Sequence, residues 1–289
     1  MRINKGISED RSKPLSLGPG WGHREPMSIV QLIEARDVSV DVAALMWLVM
    51  SYRVSAISAA MPQQSGKSTM MNCLRDFMRP IEKIYYLQGR FEDFTFLPNT
   101  KPENAVIIAE ELSDHTPSYV WGEGAQHLFS LLPDGYRMLS TMHASTAEEL
   151  LGELSEWLAI PIEQLECIGM IVNLAAGRRP PEMPVKEGAD STARIYRLTS
   201  VSLVRRPKDD EQSLMIEPLA EWLIDKDEHT VNENALKILS EYLKQPQAKL
   251  QKELTGYGVA IQSCIDKGIR EPDKVRRAIL ATYTAAKAS

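Results

Sequence analysis

Residues 55–74, SAISAAMPQQSGKSTMMNCL, constrain the fold more than any other stretch. A short apolar run of small side chains leads into a polar turn. A segment with apolar residues at helical spacing follows, carrying Met70, Met71 and Leu74. Strand, tight loop and helix in that order form the opening of a crossover unit in a parallel sheet. Within the turn, Ser65-Gly66-Lys67-Ser68-Thr69 supplies the second half of the pattern G-x-x-x-x-G-K-[S/T]. Chains use this pattern to cradle phosphate: backbone N–H groups at a helix N-terminus surround the anion, the lysine reaches its oxygens, and the hydroxyl binds Mg²⁺. Ser65, Gly66, Lys67, Ser68 and Thr69 are therefore candidate phosphate ligands, with Ser68 also a candidate metal ligand. Met61 stands where the first glycine is usual. A Cβ there crowds a sharp turn, whereas Pro62 favours extended backbone at the residue before it.

The rest of the chain repeats the alternation. Strand-like runs EKIYYLQ, NAVIIAEEL, SYVWGE, YRMLSTMH, CIGMIVNLA and ARIYRLTSVSLVR are interleaved with helical patterns such as AQHLFSLLP and TAEELLGELSEWL. This predicts an α/β fold with a mostly parallel sheet covered on both faces. Residues 1–27, rich in Gly, Pro, Ser and charge, read as a linker or arm. Residues 28–216 read as the α/β core, and 217–289 as a C-terminal helical subdomain broken at Pro246, Gly256 and Pro272.

Composition narrows the function classes. Apolar residues make up 44% of the 289, enough to bury a core, and the net charge of −6 argues against a nucleic-acid partner held by bulk charge. Cys73, Cys167 and Cys264 are widely spaced and lack a CxxC, so they read as reduced thiols. The most apolar run, 42–61, contains Arg53, and its unbroken apolar stretch falls short of the roughly 20 residues a span needs.

Two strand-end acids compete to serve the phosphate loop. Glu123 closes SYVWGE after Gly122, and Glu110 and Glu111 close AVIIAEE. A carboxylate at either strand end would hold Mg²⁺ through water or polarise the attacking water, and AVIIAEE is the more apolar of the two runs. His143 follows the run RMLSTM and precedes a helix with two overlapping capping boxes, Ser145/Glu148 and Thr146/Glu149. It is thereby placed at the C-terminal end of a strand, where ligands gather in such sheets. His23, His115, His127 and His229 show no metal-ligand spacing. The basic stretches GRRPP and VRRPK read as solvated hairpin ends or, like Arg24, as groups that face a neighbouring subunit.

Reading outward from the loop, the chain resembles the type II and type IV secretion and pilus-motor ATPases, closest to their archaeal-type branch, over roughly residues 21–285. GYRMLSTMHASTAEELLGEL is similar to that group's His box, G-x-x-x-x-S-T-x-H-A. SYVWGE resembles its Walker B strand, and LRDFMRPIEKIYYLQGRFEDFTFLP the stretch leading through its acidic Asp box. The resemblance implies a RecA-like P-loop core that binds ATP and Mg²⁺ and assembles as a homo-oligomer, a hexameric ring. It also implies a membrane-embedded secretion or pilus platform as partner, and a cytoplasmic location at the inner face of the membrane through that partner. His143 would contact the γ-phosphate, with Glu123 and Glu92 the catalytic acids. The sequence departs from the pattern at Met61, at Gln88-Gly89 (where the Asp box has Glu-Asp, leaving only Glu92), and in lacking the Arg after the Walker B Gly-Glu. Binding with slow hydrolysis is the expectation. The alternative is a non-hydrolysing paralogue serving as a structural or regulatory subunit. On this reading, Gln88→Glu with Gly89→Asp should raise turnover more than Met61→Gly.

Overall fold

Ala56 to Ala59 are buried on both faces, and their small side chains allow helices to approach closely from either side. In the computed structural model this segment is β1 (Ala56–Ala59), an interior strand of the sheet. The structure describes residues 11–12, 27–184, 193–207, 209–210 and 212–288. Most of the 1–27 arm, with His23 and Arg24, lies outside the described residues.

β2 (Lys83–Tyr86), β3 (Ala105–Leu112), β4 (Arg137–Met142), β5 (Met170–Gly177), β6 (Ile195–Arg205), β7 (Met215–Leu223) and β8 (Glu228–Val231) complete the sheet. The order is β2-β3-β4-β1-β5-β6-β7-β8. The first five strands run parallel, and β6 to β8 extend the sheet antiparallel. β1 pairs with β4 through Ala56 and Leu139, and with β5 through Ala56 and Met170. β3 ends beside β4, which brings the carboxyl ends of three neighbouring strands to one edge of the molecule.

Alternation along the strands divides the core in two. Ala56, Val106 and Ile108 face one layer, and Ile57, Ile107 and Ala109 the other. The first layer holds α1 (Ile29–Glu34), α2 (Val40–Ser51) and α3 (Lys67–Asp76). The second holds α4 (Glu123–Ser130), α5 (Ala147–Glu156) and α6 (Ile162–Leu165). α7 (Ala235–Leu243), α8 (Gln247–Asp266) and α9 (Pro272–Ala288) join the first layer.

α2 is apolar all round and buried from Val42 to Ser51, as a helix covered on every side must be. α8 covers it, with Gly258 approaching the Ala44 Cβ. Trp47 of α2 stacks on Tyr257 of α8 at 4.4 Å and on Phe77 at 5.5 Å, and its Nε1 donates to the Tyr283 hydroxyl of α9 at 2.9 Å. Tyr283 donates in turn to the Phe77 carbonyl, and Arg276 of α9 donates to the Met78 carbonyl at 2.8 Å. The carbonyls that end α3 are thus satisfied by side chains of α9.

Two sequence expectations change. Residues 217–231, read as the start of the C-terminal helical subdomain, instead form most of β7 and all of β8, joined by a turn with Asp227 at φ 52°. Pro218 is tolerated in β7 next to a register shift against Val201 and Ser202. Gly256 does not break the C-terminal helices; α8 runs through it, and packing on α2 offsets the roughly 1 kcal/mol a helical glycine costs. Pro246 and Pro272 act as expected, at the N-cap of α8 and the first position of α9.

Candidate functional site

The loop after β1 turns left-handed at Gln64 (φ 56°) and Gly66 (φ 93°), not at Met61. Met61 is about half exposed, so position 61 does not require glycine in this backbone. Gly66 is the N-cap of α3 and supplies no side-chain cap, which leaves the first N–H groups of the helix open for a ligand. Lys67 opens α3 and is buried, Ser68 is exposed, and Thr69 is half-buried. Ser65 is buried and its hydroxyl has no hydrogen-bond partner. An orphaned hydroxyl beside open helix N–H groups and a buried ammonium fits an anion such as phosphate.

Lys67 turns back onto the protein. Its Nζ donates to the Ala60 carbonyl at 3.3 Å and lies 3.2 Å from Nε2 of His143. Burial pushes the Lys67 ammonium below its ordinary pKa, and the nearby Glu111 carboxylate partly opposes this. His143 follows the end of β4. Its Nδ1 lies 2.8 Å from the Met61 carbonyl, and since a carbonyl only accepts, that nitrogen carries the hydrogen. Its Nε2 faces Glu111 Oε1 at 3.3 Å. Glu111 is buried near the end of β3 and is oriented by Ser113, whose hydroxyl donates to Oε1 at 3.2 Å. On the helix that follows His143, Thr146 is the N-cap that accepts from the Glu149 N–H, and the Glu149 carboxylate accepts from the Ser145 N–H. The second of the two overlapping boxes is thus half made, its return bond going to the residue before the N-cap.

The structure therefore brings Lys67, His143 and Glu111 together. Glu123 is placed elsewhere in the local architecture. Residues 119–121 are not a strand; Val120 makes a single bridge to Leu112, and Glu123 is an exposed acid in the first turn of α4, where it complements the helix dipole. The apolar run ending in Glu111 is the strand that reaches the lysine. The greater apolarity of this run is the sequence signal for that placement.

Glu92 is occupied structurally. Oε2 accepts from the Gln88 N–H at 2.7 Å and pairs with Arg11, and Oε1 accepts from the Asp93 and Phe94 N–H groups at 3.1 and 2.7 Å. Its side chain is 1% exposed. Gln88 is fully buried, and neither its amide oxygen nor its nitrogen has a partner. Gly89, at φ 61°, is wedged so that a Cβ would lie 2.1 Å from the Pro117 carbonyl oxygen. An aspartate does not fit there. The double change that the resemblance suggests would disrupt this corner rather than repair it.

Arg194, just before β6, is a contact that sequence reasoning missed. Its guanidinium reaches the Gln63 carbonyl at 3.4 Å and lies over the Tyr196 ring.

No family model matches the chain. Two uncharacterised proteins of Methanocaldococcus jannaschii are similar in sequence. MJ0900 is 24% identical over 258 residues, covering 79% of this chain and 43% of its own length. MJ1287 is 29% identical over 165 residues, covering 50% of this chain and 61% of its own length. The chain thus spans less than two thirds of the curated relatives it matches. Among solved structures, it is similar to the VirB11 ATPase of the Brucella suis type IV secretion system in complex with sulphate. That match has TM-score 0.34 and 13% identity, over 60% of this chain and 54% of that one. It is also similar to the Legionella pneumophila ATPase DotB, with TM-score 0.32 and 12% identity over 86% of this chain and 65% of that one. Among the described residues, no helix is long and apolar enough to cross a membrane.

Proposed function

We propose that this chain is the nucleotide-binding core of a secretion- or pilus-type motor ATPase, with slow hydrolysis. The observation that carries the reading is the convergence of Lys67, His143 and Glu111 at the carboxyl edge of the parallel strands. The N–H groups of α3 and Lys67 hold phosphate, and the orphaned Ser65 hydroxyl donates to it. Ser68 would hold Mg²⁺, which would neutralise charge building on the phosphate oxygens. Glu111, rather than Glu123 or Glu92, is the acid that orients water. His143 reads the state of Lys67, because one ring contacts the lysine, the loop carbonyl of Met61 and Glu111. Assembly into a homo-oligomeric ring and docking on a membrane-embedded platform belong to the same proposal.

A second reading, a non-hydrolysing regulatory paralogue, is favoured by the Gln88–Glu92 corner. The acid retained there is committed to Arg11 and the backbone. Calorimetry with MgADP and steady-state ATP turnover test both readings. Lys67→Ala should weaken MgADP binding at least about tenfold, since a charge-assisted hydrogen bond contributes about 1.5–3 kcal/mol. Unchanged affinity in that variant overturns the phosphate-loop reading. Binding with no turnover that Glu111→Gln abolishes selects the second.

A further inference from the structure

Glu111, His115 and His143 each offer a ligand atom, and the three atoms lie within 4.8 Å of one another. None of the three is adjacent in sequence to another. Glu111 stands near the end of β3, His143 follows β4, and His115 rides on the exposed loop that leaves β3. We propose that this trio binds a first-row transition dication, Zn²⁺ or a chemical neighbour such as Co²⁺, at a site separate from the Ser68 hydroxyl.

Four observations support it. The first is spacing. Metal–ligand bonds of about 2.0–2.1 Å put the edge of a coordination tetrahedron at about 3.3 Å. Glu111 Oε1 and His143 Nε2 already stand 3.3 Å apart. The second is the tautomer. His143 gives its Nδ1 hydrogen to the Met61 carbonyl, so the lone pair of a neutral ring is on Nε2, facing the carboxylate. A backbone carbonyl on the far nitrogen is the arrangement that orients metal-ligating histidines. With the ring neutral, two acceptors face one another at 3.3 Å, and a cation between or beside them relieves the repulsion. The third is the support behind the carboxylate, which Ser113 orients through its hydroxyl. The fourth is access. Two ligands sit at the ends of neighbouring strands, while His115 is exposed, with its ring 5.8 Å from that of His143. Three protein ligands with an open side resemble a site that keeps a water. Two imidazoles and one carboxylate favour Zn²⁺, Co²⁺ or Ni²⁺ over Mg²⁺ and Ca²⁺.

In the chain as it stands, the Lys67 ammonium lies beside the ring, 3.2 Å from Nε2 and 3.3 Å from Nδ1, where it would repel a dication on Nε2. Metal and parked lysine therefore exclude one another at this nitrogen, and a bound dication returns Lys67 to the phosphate loop. This last step rests on the proposed phosphate-binding role of Lys67; the metal site itself does not.

The test uses the full chain, stripped with a chelator and without nucleotide, titrated with Co²⁺ and then competed with Zn²⁺. A visible ligand-field spectrum that Zn²⁺ removes is expected. His115→Ala should weaken Co²⁺ at least tenfold, while His115→Cys, which keeps a ligand, should retain Zn²⁺. Lys67→Ala should bind metal more tightly than the unmodified chain. Absence of the spectrum, or equal binding by His115→Ala, overturns the site. Unchanged metal affinity in Lys67→Ala overturns the exchange with lysine. MgADP binding, measured separately on the metal-free chain, reports on the phosphate loop alone, so its failure is distinguishable from failure of the metal site.

Discussion

Two corners of the molecule carry motifs of the same chemical kind and use them in opposite ways. At the Lys67–His143–Glu111 corner, charged groups meet across three strand ends with their donors and acceptors only partly committed. At the Gln88–Glu92 corner, the acid is saturated by Arg11 and three backbone N–H groups, and the neighbouring glycine lies against the Pro117 carbonyl. An acid with four partners in place is a structural strut. An acid facing a histidine lone pair has capacity left for a ligand. The number of unsatisfied acceptors around a carboxylate is therefore a better guide to its role than its place in a motif.

The comparison can be broken most violently at Gly89. Gln88→Glu with Gly89→Asp should cost on the order of 4 kcal/mol or more, since the new Cβ overlaps a backbone oxygen and the carboxylate introduced in place of the Gln88 amide is buried unpaired. Urea unfolding measures this. Burial raises that carboxyl's pKa, so the folded state retains its proton longer than the unfolded chain. The deficit should therefore be smaller at pH 5 and grow towards pH 8. Native-like stability with faster turnover would show that the corner is catalytic after all.

Removing the strut is the next largest change. Glu92→Ala takes one of two carboxylate partners from the buried Arg11, leaving Asp93, and strips the acceptor from three backbone N–H groups, so it should lower stability by about 2–4 kcal/mol. Where the variant remains folded, MgADP affinity should match the unmodified chain; a matching collapse in affinity would merge the two corners into one site.

Gln88→Met gives the opposite sign. It removes an amide buried without partners and keeps the volume, so thermal unfolding should show a gain of about 1 kcal/mol. A loss would mean that the amide holds a bridging water. Smallest of all is Met61→Gly. The backbone there needs no positive φ and the side chain is half exposed, so unfolding should register a loss of about 0.5–1 kcal/mol from chain entropy alone. A severalfold gain in MgADP affinity would instead show that the Met61 side chain obstructs the loop.

How much of this was legible in the sequence follows the range of the interactions. The β1–loop–α3 unit could be read because strand, turn and helix are contiguous and each carries its own signal, and Lys67 stands at the helix start as expected. β7 and β8 could not, because a short strand with i, i+3 and i+4 apolar residues looks helical until its neighbour β6 is in place. The choice of Glu111 over Glu123 depended on which strand lies beside β4, a property of sheet order. The Arg11–Glu92 pair joins an arm of linker-like composition to a loop far along the chain, and no local pattern announces it. His115 showed no metal-ligand spacing for the same reason: its candidate companions converge only when β3 and β4 pair.

The position of β1 in the sheet also sets a timetable. Ala56 must wait for Leu139 on one side and Met170 on the other, and the helix that shields Trp47 comes later still. At about 5–20 residues per second, a ribosome finishes β4 roughly 5–20 s after α2 has emerged. Through that interval one of the most apolar segments of the chain has no lasting cover, and the long-range pairings that close the sheet are of the slow kind. Chaperone capture or aggregation therefore competes with maturation at α2, far from the chemistry and before the phosphate loop has a floor to rest on.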